Sequence, residues 1–247
     1  MMLGSKVFDR VCRARWDFRK SAAIIRSMTK LERILKDLVH EYSADGQNKA
    51  LLLTGSVARG DASPLSDVDL IAVRDDAPGF TERTIDGILI EIKAASLEAF
   101  RQKMSADAMN VYQFLDATAL FDRDECLRTL KAHATDILAR YEPPRAAILK
   151  WLTSADQKMR AATEAERTDA AAFLLATNTW ELLTGLYAIN RRPVPPSTNA
   201  LRLLPTLPKL PEGFREEWNE LLLAPMQERI KAWQSLCQYV VIELQRS

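Results

Sequence analysis

The sequence predicts an α/β domain to about residue 124 followed by an all-helical domain, and three observations carry that prediction. Short apolar runs suited to buried strands, Ala50–Leu53, Val68–Val73 and parts of Arg83–Lys93, are confined to the first half. Beyond residue 125 strand signals vanish, and Ala, Leu, Glu, Lys and Arg dominate. Glu142-Pro143-Pro144 and the proline-rich stretch Pro193–Pro211 then cut this half into long helices. With 247 residues, 47% hydrophobic and 27% charged, the chain has apolar material for one large or two modest domains. The expected division is a basic helical extension over 1–27, the α/β domain over 28–124 and the helical domain over 125–247.

Taken in order, segment 7–45 reads as helix, because Ile24, Ile25, Met28, Leu31, Ile34, Leu35 and Leu38 recur at spacings of three and four. Arg10, Arg13, Arg15, Arg19, Lys20 and Arg26 crowd its start against only Asp9 and Asp17. A solvated basic face and a contact with nucleic acid or a partner both fit that cluster. The helix stops near Ser43-Ala44-Asp45-Gly46. Ala50–Leu53 is a strand running into a tight turn at Gly55, and Val68–Val73 is the next strand. Arg83–Lys93 holds two more short strands or one hairpin around Asp86-Gly87. Segment 96–116 reads as helix, and Ala117–Phe121 as a last edge strand. In the second half, helix 168–190 is apolar nearly all round. Phe173, Thr177, Trp180, Thr184 and Tyr187 form one stripe, and Leu175, Leu182, Leu186 and Ile189 another, which predicts a central helix.

Several function classes are disfavoured. A net charge of +1 argues against a polyanion binder as a whole, so nucleic acid is not the expected partner. Cys12, Cys126 and Cys237 are far apart and odd in number, which suggests neither a zinc site nor a disulfide framework. The start, Met1–Lys6, lacks the apolar core of a signal peptide, and no stretch reads as a membrane span. These features predict a cytoplasmic protein. Two histidines rule out a His-rich metal site, and His40-Glu41 lacks the second histidine of a zinc protease motif. Arg128-x4-His133 has the loose Arg-to-His spacing of some helical ribonucleases, a match that chance produces often.

The chemistry lies in Gly55-Ser56-Val57-Ala58-Arg59-Gly60-Asp61-Ala62-Ser63-Pro64-Leu65-Ser66-Asp67-Val68-Asp69-Leu70. Gly55-Ser56 follows a strand and should open a helix, where glycine allows close approach of a phosphate and the serine hydroxyl and first amides can hold its oxygens. Asp67 and Asp69, two apart on a strand, project from one face. Two hard carboxylates side by side suit Mg²⁺ bound together with substrate phosphates. Gly55-x4-Gly60 is followed by Asp61-Ala62 instead of Lys-Ser/Thr, so it is not a P-loop. Either half of the motif alone is common in turns and strand ends; the combination in a strand–turn–helix–strand context is specific.

This segment resembles the signature of the nucleotidyltransferase superfamily with a polymerase-beta-like catalytic core, over residues 51–73, with Arg59-Gly60 and Ser66 also fitting. The resemblance implies a core with a mixed, mostly antiparallel small sheet. It also implies a reaction that moves a nucleoside monophosphate from an NTP to an acceptor and releases pyrophosphate, with two Mg²⁺ ions (Mn²⁺ as a substitute) on Asp67, Asp69 and a third carboxylate. Glu91, inside Ile88-Leu89-Ile90-Glu91-Ile92, is the candidate, since a charge within an apolar strand is costly unless paired or metal-bound; a solvent-facing Glu91 is the alternative. Gly55 and Ser56 would grip the β- and γ-phosphates, and Ser66 is a further candidate nucleotide-binding residue. Arg59 would offset phosphate charge or simply face solvent, and ATP is the implied donor.

The helical half is similar in outline to the acceptor-binding domains of aminoglycoside-type adenylyltransferases, which implies a small hydroxyl-bearing acceptor. Asn178 and Glu181, three apart on helix 168–190, are the candidate acceptor-binding residues, with a polar pair at an interface as the plainer reading. Residues 168–210 hold no acidic cluster suited to a polycationic aminoglycoside, and Arg191-Arg192 suit a helix C-terminus by dipole alone or a triphosphate. Minimal members of the superfamily that act as antitoxins suggest the alternative of modifying a partner protein or RNA.

Overall fold

In the computed structural model, which describes residues 22–76 and 78–246, an open five-stranded sheet is followed by a succession of helices. The elements are α1 (Ala22–Ala44), β1 (Asn48–Leu53), α2 (Gly55–Arg59), β2 (Val68–Arg74), β3 (Gly79–Ile85), β4 (Ile88–Ala95), α3 (Leu97–Ala106), α4 (Val111–Leu115), β5 (Thr118–Asp122), α5 (Cys126–Arg140), α6 (Arg145–Glu164), α7 (Thr168–Ile189), α8 (Asn199–Leu203), α9 (Phe214–Leu223) and α10 (Met226–Arg246). The chain divides into two compact units between Ile137 and Leu138. The basic residues Arg10, Arg13, Arg15, Arg19 and Lys20, and Cys12, lie outside the described residues, as does the side chain of Arg26.

The sheet order is β3-β4-β2-β1-β5. β1 pairs antiparallel with β2 and β5, β3 pairs antiparallel with β4, and β2 runs parallel to β4. The mixed, mostly antiparallel sheet expected from the resemblance is therefore present. Its hairpin turns at Asp86 (φ 53) and Gly87 (φ 79), both in the positive-φ conformation that a two-residue hairpin connection requires. β5 is an edge strand, as its position after the helical segment suggested.

Alternation along the strands decides the core. Leu51, Leu53, Val68, Leu70, Ala72, Ile90 and Ile92 face one side and pack with Ile34, Leu35 and Leu38 of α1. The same helix is tied to the hairpin by charge: Lys30 donates to the Asp86 carbonyl, Arg33 pairs with the Asp86 carboxylate, and Arg83 makes a two-pronged pair with Glu41 at 2.9 and 3.2 Å. Glu41, next to His40, is thus a structural residue.

Segment 96–116 is not one helix. Ser96 caps α3 by accepting from the Ala99 amide, but Asp107 leaves helical geometry (φ −142) and its carboxylate accepts from the Met109 amide, starting a new turn before α4. A short acid that bonds its own backbone competes with the helix ladder. Asp122 caps α5 through the amides of Cys126 and Leu127, at 2.8 and 2.9 Å. His133 contacts Ser105 and the Arg101 carbonyl, and Arg128 pairs with Glu125, so the Arg-to-His spacing reflects packing of α5 on α3.

In the second unit α7 is central only on one side. Leu175, Leu182, Leu186, Tyr187 and Ile189 are buried, whereas Phe173 and Trp180 of the other stripe are exposed. Gly185 lets α6 and α10 close on α7: a Cβ there would stand 2.7 Å from Val240 Cγ1 and 3.0 Å from Leu152 Cδ1. Among the described residues no helix is long and apolar enough to cross a membrane. Cys126 and Cys237 are buried and unpaired, and burial pushes their thiols up to about 11 and about 12 respectively, far from a reactive thiolate.

Gly185→Ala sets overpacking of about 1–3 kcal/mol against about 1 kcal/mol of gained helix propensity. Both neighbouring side chains are fully enclosed, so the overpacking wins. The variant should unfold at lower denaturant concentration than the parent, and an unchanged midpoint would show slack between the three helices.

Candidate active site

Gly55 is the corner on which the site is built. It opens α2 at φ 67, a conformation that L side chains rarely adopt, and a Cβ at this position would stand 2.2 Å from Asp69 Oδ2. The missing side chain is therefore the space that the Asp69 carboxylate occupies. The corner is pinned from the other side by Thr54, a buried residue whose amide and hydroxyl both donate to the Asp69 carbonyl, at 2.9 and 3.3 Å. Nothing but its place at the end of the strand hinted at Thr54 in the sequence.

Asp69 lies in β2 directly beside Glu91 of β4 in the parallel register, so the two carboxylates share a face. They are 27% and 24% exposed, reachable from solvent but flanked by apolar strand. Asp67 precedes the start of β2 by one residue. The alternation of half-exposed Asp67 and Asp69 with buried Val68 and Leu70 carries the strand pattern back to it. Lys93, missed in the sequence, reaches both acids, with Nζ 3.7 Å from Asp69 Oδ1 and 3.8 Å from Glu91 Oε2. Its spacing of two from Glu91 was a legible signal, since period two places both on one face. Glu82 of β3 pairs in register with Glu91, which extends the acidic row across three strands. Counting back from the Asp86-Gly87 turn would have found it.

The loop between α2 and β2 is self-braced. Gly60, at φ 81, closes α2 by donating to the Ser56 and Val57 carbonyls. Ser66 Oγ accepts from the Ser63 amide at 2.8 Å while the Ser66 amide donates to the Ser63 carbonyl at 3.0 Å. The Ser66 hydroxyl is thereby committed to loop shape. Arg59, largely enclosed, faces Asp61 at 3.1 Å and Asp116 at 3.8 Å, so it is an ion-paired residue and not an exposed one. Ser56 is half-exposed, and among the described residues its hydroxyl has no partner. The first intrahelical bond of α2 is made by the Ala58 amide to Thr54, which leaves the amides of Gly55, Ser56 and Val57 ahead of the ladder.

Among the described residues no three His, Cys, Asp or Glu side chains converge as a finished metal cage. Asp69 and Glu91 nevertheless fit a divalent cation by donor chemistry. Both are hard oxygen ligands on one face, and their ion pairs to Lys93 exceed hydrogen-bond length, so their lone pairs are not consumed.

The two candidates in the second unit differ. Asn178 is buried and fully engaged: Nδ2 donates to the Leu174 carbonyl at 2.7 Å, and Oδ1 accepts from the Trp151 indole at 2.9 Å. Glu181 is half-exposed. Arg191, just past the end of α7 at φ 51, pairs with Glu142.

Residues 30–117 match the family model of the nucleotidyltransferase domain. That segment is a nucleotidyltransferase domain, the part of the chain that supports a transferase activity. The chain is also similar to a solved structure, a nucleotidyltransferase-like protein from Exiguobacterium sibiricum 255-15. The two are 12% identical, the match covers 86% of this chain and 74% of that one, and the TM-score is 0.46. No curated protein matches the chain by sequence.

The two positive-φ glycines of the motif separate conformation from site geometry. Gly55→Ala and Gly60→Ala should each lose about 1–2 kcal/mol in denaturant melts, the cost of a left-handed backbone. Only Gly55→Ala also drives the Asp69 carboxylate aside, because a Cβ at Gly60 meets nothing within 4 Å. Transferase activity should vanish in Gly55→Ala and persist in Gly60→Ala; equal activities would mean that the close approach of Gly55 and Asp69 is incidental.

Proposed function

We propose that the protein transfers a nucleoside monophosphate, AMP from ATP, to a hydroxyl of a small-molecule acceptor and releases pyrophosphate. The observation that carries this reading is the in-register pair Asp69–Glu91 seated over the Gly55 corner. It sets carboxylates able to hold a cation beside backbone amides and a serine hydroxyl, the combination that a metal-bound triphosphate needs. ATP as donor and the small hydroxyl acceptor rest on the superfamily resemblance.

The reaction is an in-line displacement at the α-phosphorus. The acceptor oxygen forms a bond to phosphorus, the bond from phosphorus to the bridging oxygen breaks, and pyrophosphate carries away the electron pair. Gly55 and Ser56 hold the β- and γ-phosphates through their amides and the Ser56 hydroxyl. Glu91 accepts the proton of the attacking hydroxyl. Asp67, Asp69 and Glu91 would hold divalent metal, Mg²⁺ with Mn²⁺ as a substitute, whose chemistry there is to neutralise phosphate charge and acidify the acceptor hydroxyl. Thr54 keeps the Asp69 backbone fixed to the corner, and the Ser63–Ser66 turn stiffens the approach to Asp67. Arg59, held by Asp61 and Asp116, steadies the helix end, and its charge is met by those two acids.

A screen with α-labelled ATP, GTP, CTP and UTP against aminoglycosides, lincosamides, sugars and nucleotides tests the reading. Label should pass to a small molecule from ATP. Asp67→Asn and Asp69→Asn should each lower the rate by at least about a hundredfold, the scale of removing a group that acts on transition-state charge, while the folded structure survives. Wild-type transfer in either variant would remove that residue from the site. Label found only on a protein or RNA would favour partner modification instead.

A further inference from the structure

Three carboxylates, Glu82, Glu91 and Asp69, stand in one cross-strand row over β3, β4 and β2. Like charges side by side on a sheet repel, and the row needs a cation even before any ligand arrives. Lys93 supplies one. Its own row offers it no acid: it pairs with Phe80 on one side and with fully buried Ile71 on the other. The ammonium instead lies within 4 Å of both Asp69 and Glu91.

We propose that Lys93 is the resident counter-ion of the Asp69–Glu91 pair, a positioning residue that holds the two carboxylates together and competes with divalent metal for them. The inference rests on the reading above that Asp69 and Glu91 hold the metal. Two features make the handover physical. Both contacts, at 3.7 and 3.8 Å, are beyond hydrogen-bond length, so the ammonium is held by charge and leaves without breaking a directional bond. Lysine is also a compact point charge on a flexible four-carbon stem, and Lys93 is 44% exposed, free to swing toward solvent or an incoming triphosphate. An arginine clamped bidentately to a carboxylate would not yield in this way.

Mn²⁺ binding to the full chain, followed by electron paramagnetic resonance at low ionic strength, reads the competition without any turnover. Lys93→Met should bind Mn²⁺ about three- to tenfold more tightly than the parent, the scale of two half-exposed ion pairs lost as competitors. In EDTA the same variant should melt at a lower temperature, and Mn²⁺ should raise its midpoint by more than it raises the parent's. Lys93→Arg, which keeps the charge, should bring the melting temperature in EDTA back toward the parent, as packing alone would not. Lys93→Gln serves for the same titration should Lys93→Met fail to fold. Mn²⁺ affinity in the neutral variants equal to or weaker than the parent's, with Asp69→Asn binding weakly as expected, overturns the role of Lys93 alone. Mn²⁺ binding that survives unchanged in Asp69→Asn overturns the metal assignment itself, and this inference with it.

Discussion

Two carboxylates brought side by side by parallel strands are the constraint around which the first unit is organised. β2 and β4 are adjacent and parallel, while β3, which lies between them in sequence, sits outside β4 at the sheet edge. The hairpin at Asp86-Gly87 therefore folds β4 back into the space beside β2 and brings Glu91 level with Asp69. The arrangement is electrostatically unfavourable by itself. It persists because the opposite face of both strands is packed: Leu70, Ile90 and Ile92 are buried against α1, and that helix is also locked to the hairpin through Asp86 and Arg83. Hydrophobic burial on one face thus holds in place a charge pair on the other.

The position of the acids along β2 follows from the same logic. Ile71 and Val73, further along the face that carries Asp69, are wholly buried, and Asp69 near the strand's start is not. An ionised carboxylate two residues further in would lose its hydration with no partner to replace it. At the start of β2 it keeps water access and gains the Gly55 corner, where the absent side chain leaves space for the carboxylate and the Thr54 bonds hold its backbone still. Rigidity at this point comes from backbone geometry, the kind that survives changes of bound ligand.

Much of this was readable from residue order, and the failures have a common cause. The Gly55-Ser56 corner, the Asp67-x-Asp69 spacing, the Asp86-Gly87 turn, the edge strand before residue 124 and the helical second half all depend on local rules: strand periodicity, turn chemistry and proline punctuation. What escaped depends on which elements meet. The resemblance already groups Glu91 with Asp67 and Asp69, but the parallel register behind that is a tertiary fact, and so are the acids around Arg59 and the reach of Lys93 to both carboxylates. The break at Asp107 is local but competes with a strong helical pattern on either side. The stripe of Phe173 and Trp180 was read as buried because apolar periodicity reports a helix and not which of its faces is covered.

Asn178 and Glu91 show what distinguishes a polar residue used for packing from one left available for chemistry. Both interrupt apolar segments, and from sequence each was a candidate for ligand contact. Asn178 is buried, and the structure has met its needs: its amide donates to Leu174, and its oxygen accepts from Trp151. Both amide groups are engaged by neutral partners, which is how a buried polar group becomes tolerable. Glu91 keeps 24% of its side chain exposed, its neighbour Asp69 carries the same charge, and its compensation from Lys93 is a long ion pair that takes up no lone pair. A carboxylate in that state is only partly compensated and is coordinatively open, so a cation or a proton of an approaching hydroxyl meets free acceptor capacity there and none at Asn178. Unspent hydrogen-bonding capacity on a fixed backbone, more than polarity in an apolar stretch, is the physical mark of the site.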